Sequence, residues 1–464
     1  MNKMIFSGML LLLLLSCGSE SVTKSVDPKQ FQNKIVSQVT INEMWQDKPF
    51  KDVDVEFLEF KYNNKKGLGF NLPNGTAVKI PKSAFQDKNG KPITANIVVK
   101  YREFQSVNDI ILAGIKMKYS ENDINGDFES AGMFEIRAFE GKNELELRDN
   151  KTVQVDLASF KSGNYNSYAM NEKTNNWEFL DRQKSKPNKH KKQKLKELDS
   201  LKKVKDETCF SEPLEFKGKM EVFDIDYNFY RFYEMEFVSE AMWISVGDDI
   251  EKGKLRKSLS GFNDMQLEPT ENCNNFKLSV WQKDDLEPAK NRMTFIVKPV
   301  FKGKSFARAK KKYKEHIAEL KRLGDERNVA EREADLWRSF ELKGMGVYNC
   351  DRLVDYIDFV TVNLEVNYKD KVHSYFYLTG NGNVAVKYYP TYLTKFRLNP
   401  NSTNSIIAIL PENKVGIVTE AEFENAYKEY LKDTSPDKKM KLELKLKSEP
   451  IEKRKDFDQY VAKI

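Results

Sequence analysis

Histidine is scarce in this chain: His190, His316 and His373 are the only three in 464 residues. None belongs to a His-Glu-x-x-His helix, so the zinc-protease arrangement is excluded, and metal-assisted hydrolysis has too few imidazoles to draw on. A Gly-x-Ser-x-Gly elbow is missing, and so is any glycine-rich phosphate loop. Cysteine is also sparse, at Cys17, Cys209, Cys273 and Cys350. Beyond residue 15 no long apolar run occurs, so no later segment supplies the ~20 apolar residues of a spanning helix. Charge of one sign is not in large excess. A net +7 over this length gives no nucleic-acid footprint, though it leaves attraction to an anionic envelope surface open. With 40% hydrophobic and 32% charged residues, the composition supports packed cores beneath a heavily solvated surface.

What is present begins at the N-terminus. Lys3 precedes an apolar run from Ile5 to Leu15, broken by Ser7 and Gly8 and ending at Leu14-Leu15-Ser16-Cys17. A basic start and a short apolar stretch are the layout of a secretory leader. The final four residues resemble a bacterial lipobox. That resemblance implies a signal peptide over 1–16, lipidation of Cys17, and a protein anchored in the cell envelope, expected at the outer membrane. Each acyl chain contributes ~0.8 kcal/mol per buried methylene, and two or more chains hold stably. Residues 17–54 then read as a polar tether and lead-in segment.

From residue 55 the pattern is mainly strand. Gly75 to Pro81 alternates with period two, and Asp87-Lys88-Asn89-Gly90 is a tight-turn signal. Further strands are expected at 96–104, 110–119, 130–139, 144–148, 152–157, 165–170 and 177–180, making 55–182 an antiparallel β-sandwich domain. Residues 183–208 hold ten lysines between Lys184 and Lys205 and read as a basic linker running into a short helix, with a patch for anionic lipid or polysaccharide as the functional alternative. A second β domain is expected over 209–302, with an aromatic-rich strand near Phe229 to Phe237 that alternation assigns to a core. Residues 303–338 follow as a charged helical segment, with Ser305 as N-cap, Gly324 as a bend and Ala330, Ala334, Trp337 and Phe340 as a second apolar stripe. The last domain, 339–464, returns to strands, with one helix opened by the Thr419-Glu420-Ala421-Glu422 capping box. The expected class is therefore a multi-domain, mainly β protein of antiparallel sandwich-type modules with an intervening charged helix.

Gly75 to Phe85, Phe128 to Phe134 and Gly346 to Asp351 resemble segments of uncharacterised lipoproteins of Bacteroidota. Ile80-Pro81-Lys82-Ser83-Ala84-Phe85 is also similar to a strand-end signature in the β-sandwich of ankyrins and netrin receptors, with Ser83 where that signature has glycine. The resemblance implies a folding unit with an interaction role, and it carries over no catalytic residue.

Few residues suggest chemistry. Glu121, Asp123, Asn125 and Asp127 have the spacing that opens an oxygen-rich calcium loop, but Gly132 stands where an EF-hand needs its closing acid; a plain Asn-Gly hairpin is the alternative. Cys209 and Cys273 bracket the second β domain and are the candidate disulfide, against three buried free thiols. Cys350 beside Asp351 has no histidine partner in sequence and reads as a buried thiol. No cofactor is expected. The leading expectation is a non-enzymatic lipoprotein that binds an envelope protein or a glycan and contacts the membrane through Cys17. The rival is a glycan-acting hydrolase with two paired carboxylates in a cleft between domains, since 70 acidic residues leave that chemistry open.

Overall fold

Alternation along Val153–Ser159 drives Val153, Val155 and Leu157 to one side, and in the computed structural model they meet Phe70, Val78, Ile80, Phe340 and Leu342 in one core. The structure describes residues 24–25, 48–93, 96–121, 124–207, 210–225, 240–246, 262, 264–271, 274–282, 292–368, 371–380 and 384–462. The leader with Cys17, both Cys209 and Cys273, Asp123, and the aromatic run from Tyr227 to Phe237 lie outside the described residues. The chain divides into two compact units, residues 1–188 with 333–464, and 189–332. It is mainly β, with several antiparallel sheets.

The larger unit is built on a sandwich. Its first sheet runs Leu68–Asn71, Ala77–Ile80, Val153–Ser159 and Leu336–Leu342, all antiparallel neighbours. The facing sheet centres on the 17-residue strand Ile124–Glu140, flanked by Ile97–Phe104 and by Gly346–Leu353. Asn164–Asn171 and Asn176–Lys184 extend it, joined through Asn175 in the left-handed conformation (φ 51°). Between the sheets Phe134 packs edge-on to Phe340 at 5.0 Å and stacks with Tyr348 at 5.4 Å.

Two strands of this sandwich come from beyond residue 335. The expected domain boundary at 339 falls inside Leu336–Leu342, and Gly346–Leu353 pairs directly with the central strand. The stripe of Ala330, Ala334, Trp337 and Phe340 is not a helical face either. The helix ends at Glu331, and Arg338, Phe340 and Leu342 are buried with the period of a strand. Sequence reading could not see that residues almost 200 positions apart would pair as Val155 and Phe340 do.

The expected strand at 110–119 is replaced in its first half by a helix, Val107–Ala113. Its capping box is explicit: Ser106 Oγ accepts from Asp109 N at 3.2 Å, and the Asp109 carboxylate accepts from Ser106 N at 3.1 Å. Gly114, at φ 66°, closes it. Four consecutive apolar residues, Ile110 to Ala113, are buried because the helix is wedged between two cores. The large sheet continues beyond it through Val384–Tyr388, Ser374–Thr379, Asn404–Ile409 and Val415–Val418. One face of this continuation packs on the Glu420–Lys432 helix, where Thr419 and Glu422 form the anticipated capping box. The other face is closed by the Arg454–Val461 helix and Phe50.

Charge is buried inside this unit. On the outer face of the second sheet Arg102 and Glu135 are directly opposed, and both are fully buried. Arg102 Nε donates to Glu135 Oε2 at 2.6 Å, and Arg137 Nε donates to Glu135 Oε1 at 2.5 Å. Asp54 takes a second donor from Arg102 at 2.8 Å, while Glu144 and Glu172 take the remaining donors of Arg137. The Phe57 ring lies 4.1 Å from the Arg102 guanidinium. The segment beginning at 48 is thereby pinned over the sheet by charge as well as by Phe50 and Val53.

The smaller unit pairs two helices, Lys189–Glu207 and Gly303–Glu331, through Leu198, Leu323 and Ala330. The short helix expected after a basic linker is thus present and longer than expected, taking up 189–207. The second helix runs unbroken through Gly324, and Lys302 rather than Ser305 stands at its N-cap. Its sheet, Met242–Ser245, Asp264–Pro269, Phe276–Trp281 and Met293–Phe301, encloses Trp243. Among the described residues no helix is long and apolar enough to cross a membrane.

Ser83 adopts φ 52°, a left-handed conformation, while its N–H donates to Asn64 O at 2.9 Å. A non-glycine residue pays about 1–2 kcal/mol there. Ser83→Gly is expected to raise stability by roughly 0.5–1 kcal/mol, seen as a higher thermal midpoint; a lower midpoint contradicts the strain.

Candidate functional site

Val384–Tyr388 leaves the sheet with Val384 and Val386 buried in one core and Ala385 in the other. Pro390 then starts a short 3-10 turn, Pro390–Lys395, and Leu393 anchors that turn in the core. Because one side of the turn is fixed this way, Tyr389 and Tyr392 are held outward, 48% and 64% exposed. The turn forms one wall of an open cavity of about 780 Å³. Its floor is apolar, made by Ile110, Ile111, Ile115 and Met117 from the capped helix and the residues after it.

Tyr356 also lines the cavity; it packs edge-on against Phe359 at 4.7 Å and donates to the Asp127 carboxylate. Burial and the adjacent Asp127 charge raise the Tyr356 phenol above its ordinary range, and burial does the same for Tyr388. Both are therefore neutral hydroxyls at neutral pH. Lys116, Lys118, Lys387, Lys395 and Arg397 also line the cavity, and Asp127 is its single carboxylate. The Arg397 guanidinium sits 5.1 Å from the Tyr356 ring, and Lys387 lies over Phe376 and Tyr389 at 5.5 and 5.4 Å. Rings, an apolar floor and a cationic rim suit a ligand with both a flat face and polar groups.

A second cavity, about 770 Å³, is lined by Glu129, Arg352, Lys161, the 400–404 loop, Glu420, Phe423, Glu424 and Tyr427. Glu129 accepts from Arg352 at 2.9 and 3.0 Å and from the Tyr165 hydroxyl at 2.9 Å. Arg338, fully buried, donates to Lys161 O at 2.8 Å and Gly163 O at 2.9 Å, fixing the loop that carries Lys161. The acids of this cavity come from both the sandwich and the Glu420–Lys432 helix, and Glu129 is committed to cationic and phenolic donors.

Lys118–Glu121 pairs antiparallel with Ile124–Glu140, so Asn125-Gly126 lies within a strand and is not a turn. Of Glu121, Asp123, Asn125 and Asp127, the last alone has a described side chain, and it faces Tyr356. Among the described residues no group of three metal-ligating side chains occurs. Cys350 is fully buried, and burial pushes its thiol up to about 12. His316 packs on Phe210 at 4.6 Å. The tyrosine basin has one local sequence signal, the cluster Lys387-Tyr388-Tyr389-Pro390-Thr391-Tyr392, in which a proline-started turn faces rings outward.

Asp351 is fully buried and accepts from Asn349 Nδ2 at 2.7 Å. Burial raises its carboxyl well above the ordinary range. Between about pH 3.9 and that raised value the folded chain keeps a proton that the unfolded chain has released, so stability falls as pH rises, by at most ~1.4 kcal/mol per pH unit. Asp351→Asn is expected to flatten this slope and to raise stability at pH 7. Denaturant titrations at several pH values check it; an unchanged slope contradicts it.

The chain matches no protein-family model, no curated protein and no solved structure.

Proposed function

We propose that this chain is a non-catalytic lipoprotein of the cell envelope, anchored through acyl chains on Cys17, whose larger unit binds a glycan in the tyrosine-walled basin. The observation that carries the binding reading is the exposure of Tyr389 and Tyr392 on a turn fixed by buried Leu393, over an apolar floor. Exposed aromatic rings cost solvation unless a partner covers them, and a sugar's apolar face is such a partner. The lipobox supports the address. Cys17→Ala is expected to move the protein from the membrane fraction to the soluble one; unchanged partitioning contradicts lipidation. Isothermal titration of the full chain with a panel of soluble oligosaccharides tests the binding. A rival reading as a glycan hydrolase draws on Glu129, Glu420 and Glu424 in the second cavity. Shortening of any oligosaccharide in the panel would establish it and overturn the non-catalytic reading.

A further inference from the structure

We infer that the basin prefers acidic glycans, seating a sugar carboxylate or sulfate at Arg397 and Lys395 while the ring lies against Tyr392. This rests on the glycan-binding reading and adds the charge of the ligand to it. Five cationic side chains line the cavity against Asp127 alone, and Asp127 already accepts the Tyr356 hydroxyl. Among the described residues Lys118, Lys395 and Arg397 take part in no salt bridge. Lys395 is the last residue of the turn that carries Tyr392, and Arg397 follows it on the strand Phe396–Leu398, which pairs antiparallel with Val360–Val362. The Arg397 guanidinium lies 5.1 Å from the Tyr356 ring, and its planar fork of N–H donors suits a carboxylate or a sulfate.

The surroundings strengthen the preference. Beneath the cations the floor is Ile110, Ile111, Ile115 and Met117, so a bound anion is partly withdrawn from water and its attraction to Arg397 is less screened than at an open surface. A neutral sugar of the same shape gains the ring contacts but brings no opposite charge to Lys118, Lys395 and Arg397. Selectivity is therefore expected to come from the rim and baseline affinity from the rings.

The test uses the full chain and oligogalacturonate, with its carboxyl-reduced counterpart as the neutral probe of equal length. Titration calorimetry is expected to give about ten-fold tighter binding for the acidic oligomer at low salt, narrowing as salt rises. Arg397→Gln is expected to narrow the preference to about three-fold, Lys395 being still in place, and Lys91→Gln, on the Asp87–Lys91 turn outside the cavity, to leave both affinities unchanged. Equal affinity for the two oligomers overturns the inference and leaves the glycan reading standing. Binding of neither overturns both. Saturable binding to phosphatidylglycerol vesicles, lost in Arg397→Gln, with no oligosaccharide bound, also overturns both and assigns the basin to a lipid headgroup.

Discussion

Glu135→Gln is expected to lower the unfolding free energy of the larger unit by about 3–5 kcal/mol. Glu135 is fully buried and is the shared acceptor of Arg102 and Arg137, at 2.6 and 2.5 Å. The amide keeps the shape and removes the charge, so two buried guanidiniums lose their common counter-ion. Asp54, Glu144 and Glu172 remain, but they are the more solvent-reached acids of the group. Breaking one partner of a buried network costs more than the network contributes, because an uncompensated charge stays behind. The companion triple variant Arg102→Met, Glu135→Leu, Arg137→Met is expected to recover most of the loss, as apolar replacement of a whole buried set often does. Native-state amide exchange across Ile97–Phe104 under increasing denaturant reads this unit rather than 189–332. A loss under about 1 kcal/mol would mean that the network is solvated, contrary to its burial.

Tyr392→Ala is expected to weaken oligosaccharide binding by roughly 30-fold with little effect on stability. The ring is 64% exposed, so its removal leaves no cavity, and surface truncations of this kind shift stability by about 0.5 kcal/mol or less. Aromatic anchors at binding sites commonly contribute about 2 kcal/mol or more, which is the stated factor. Its neighbour Leu393 is the contrast: it is buried in the core, and Leu393→Ala is expected to cost about 2–5 kcal/mol and to loosen the whole turn. Calorimetric titration beside a thermal melt separates the two effects. Loss of affinity in Tyr392→Ala only in step with loss of folding would count against a direct contact.

Much of the architecture was legible from residue pattern. Period-two alternation located most strands of the larger unit, and the Thr419–Glu422 capping box located its helix with nearly correct ends. Local turn chemistry held as well, for Asp87 accepts from Asn89 N and Lys91 N at 2.9 Å each, as a tight polar turn requires. The failures share a physical origin in distance along the chain. Nothing near Leu336 announces that its partner strand is Val153–Ser159, because pairing energy belongs to both strands and sequence shows one at a time. The Val107–Ala113 helix was hidden differently. Its box was present in Ser106-x-x-Asp109, but burial on all sides erased the amphipathic stripe that periodicity seeks. The basin is dispersed along the chain for a related reason. Its floor is the helix at 107–113, its wall the turn at 390–395, and Asp127 and Tyr356 come from two further places. Tyrosine and lysine are common on any surface, and only the fold brings these together.

Amide hydrogen exchange of the full chain, with and without saturating oligogalacturonate, tests the binding account most directly. Slower exchange is expected at 387–397 and around Tyr356, with residues 189–332 unchanged. Exchange that slows elsewhere and leaves 387–397 untouched would contradict it.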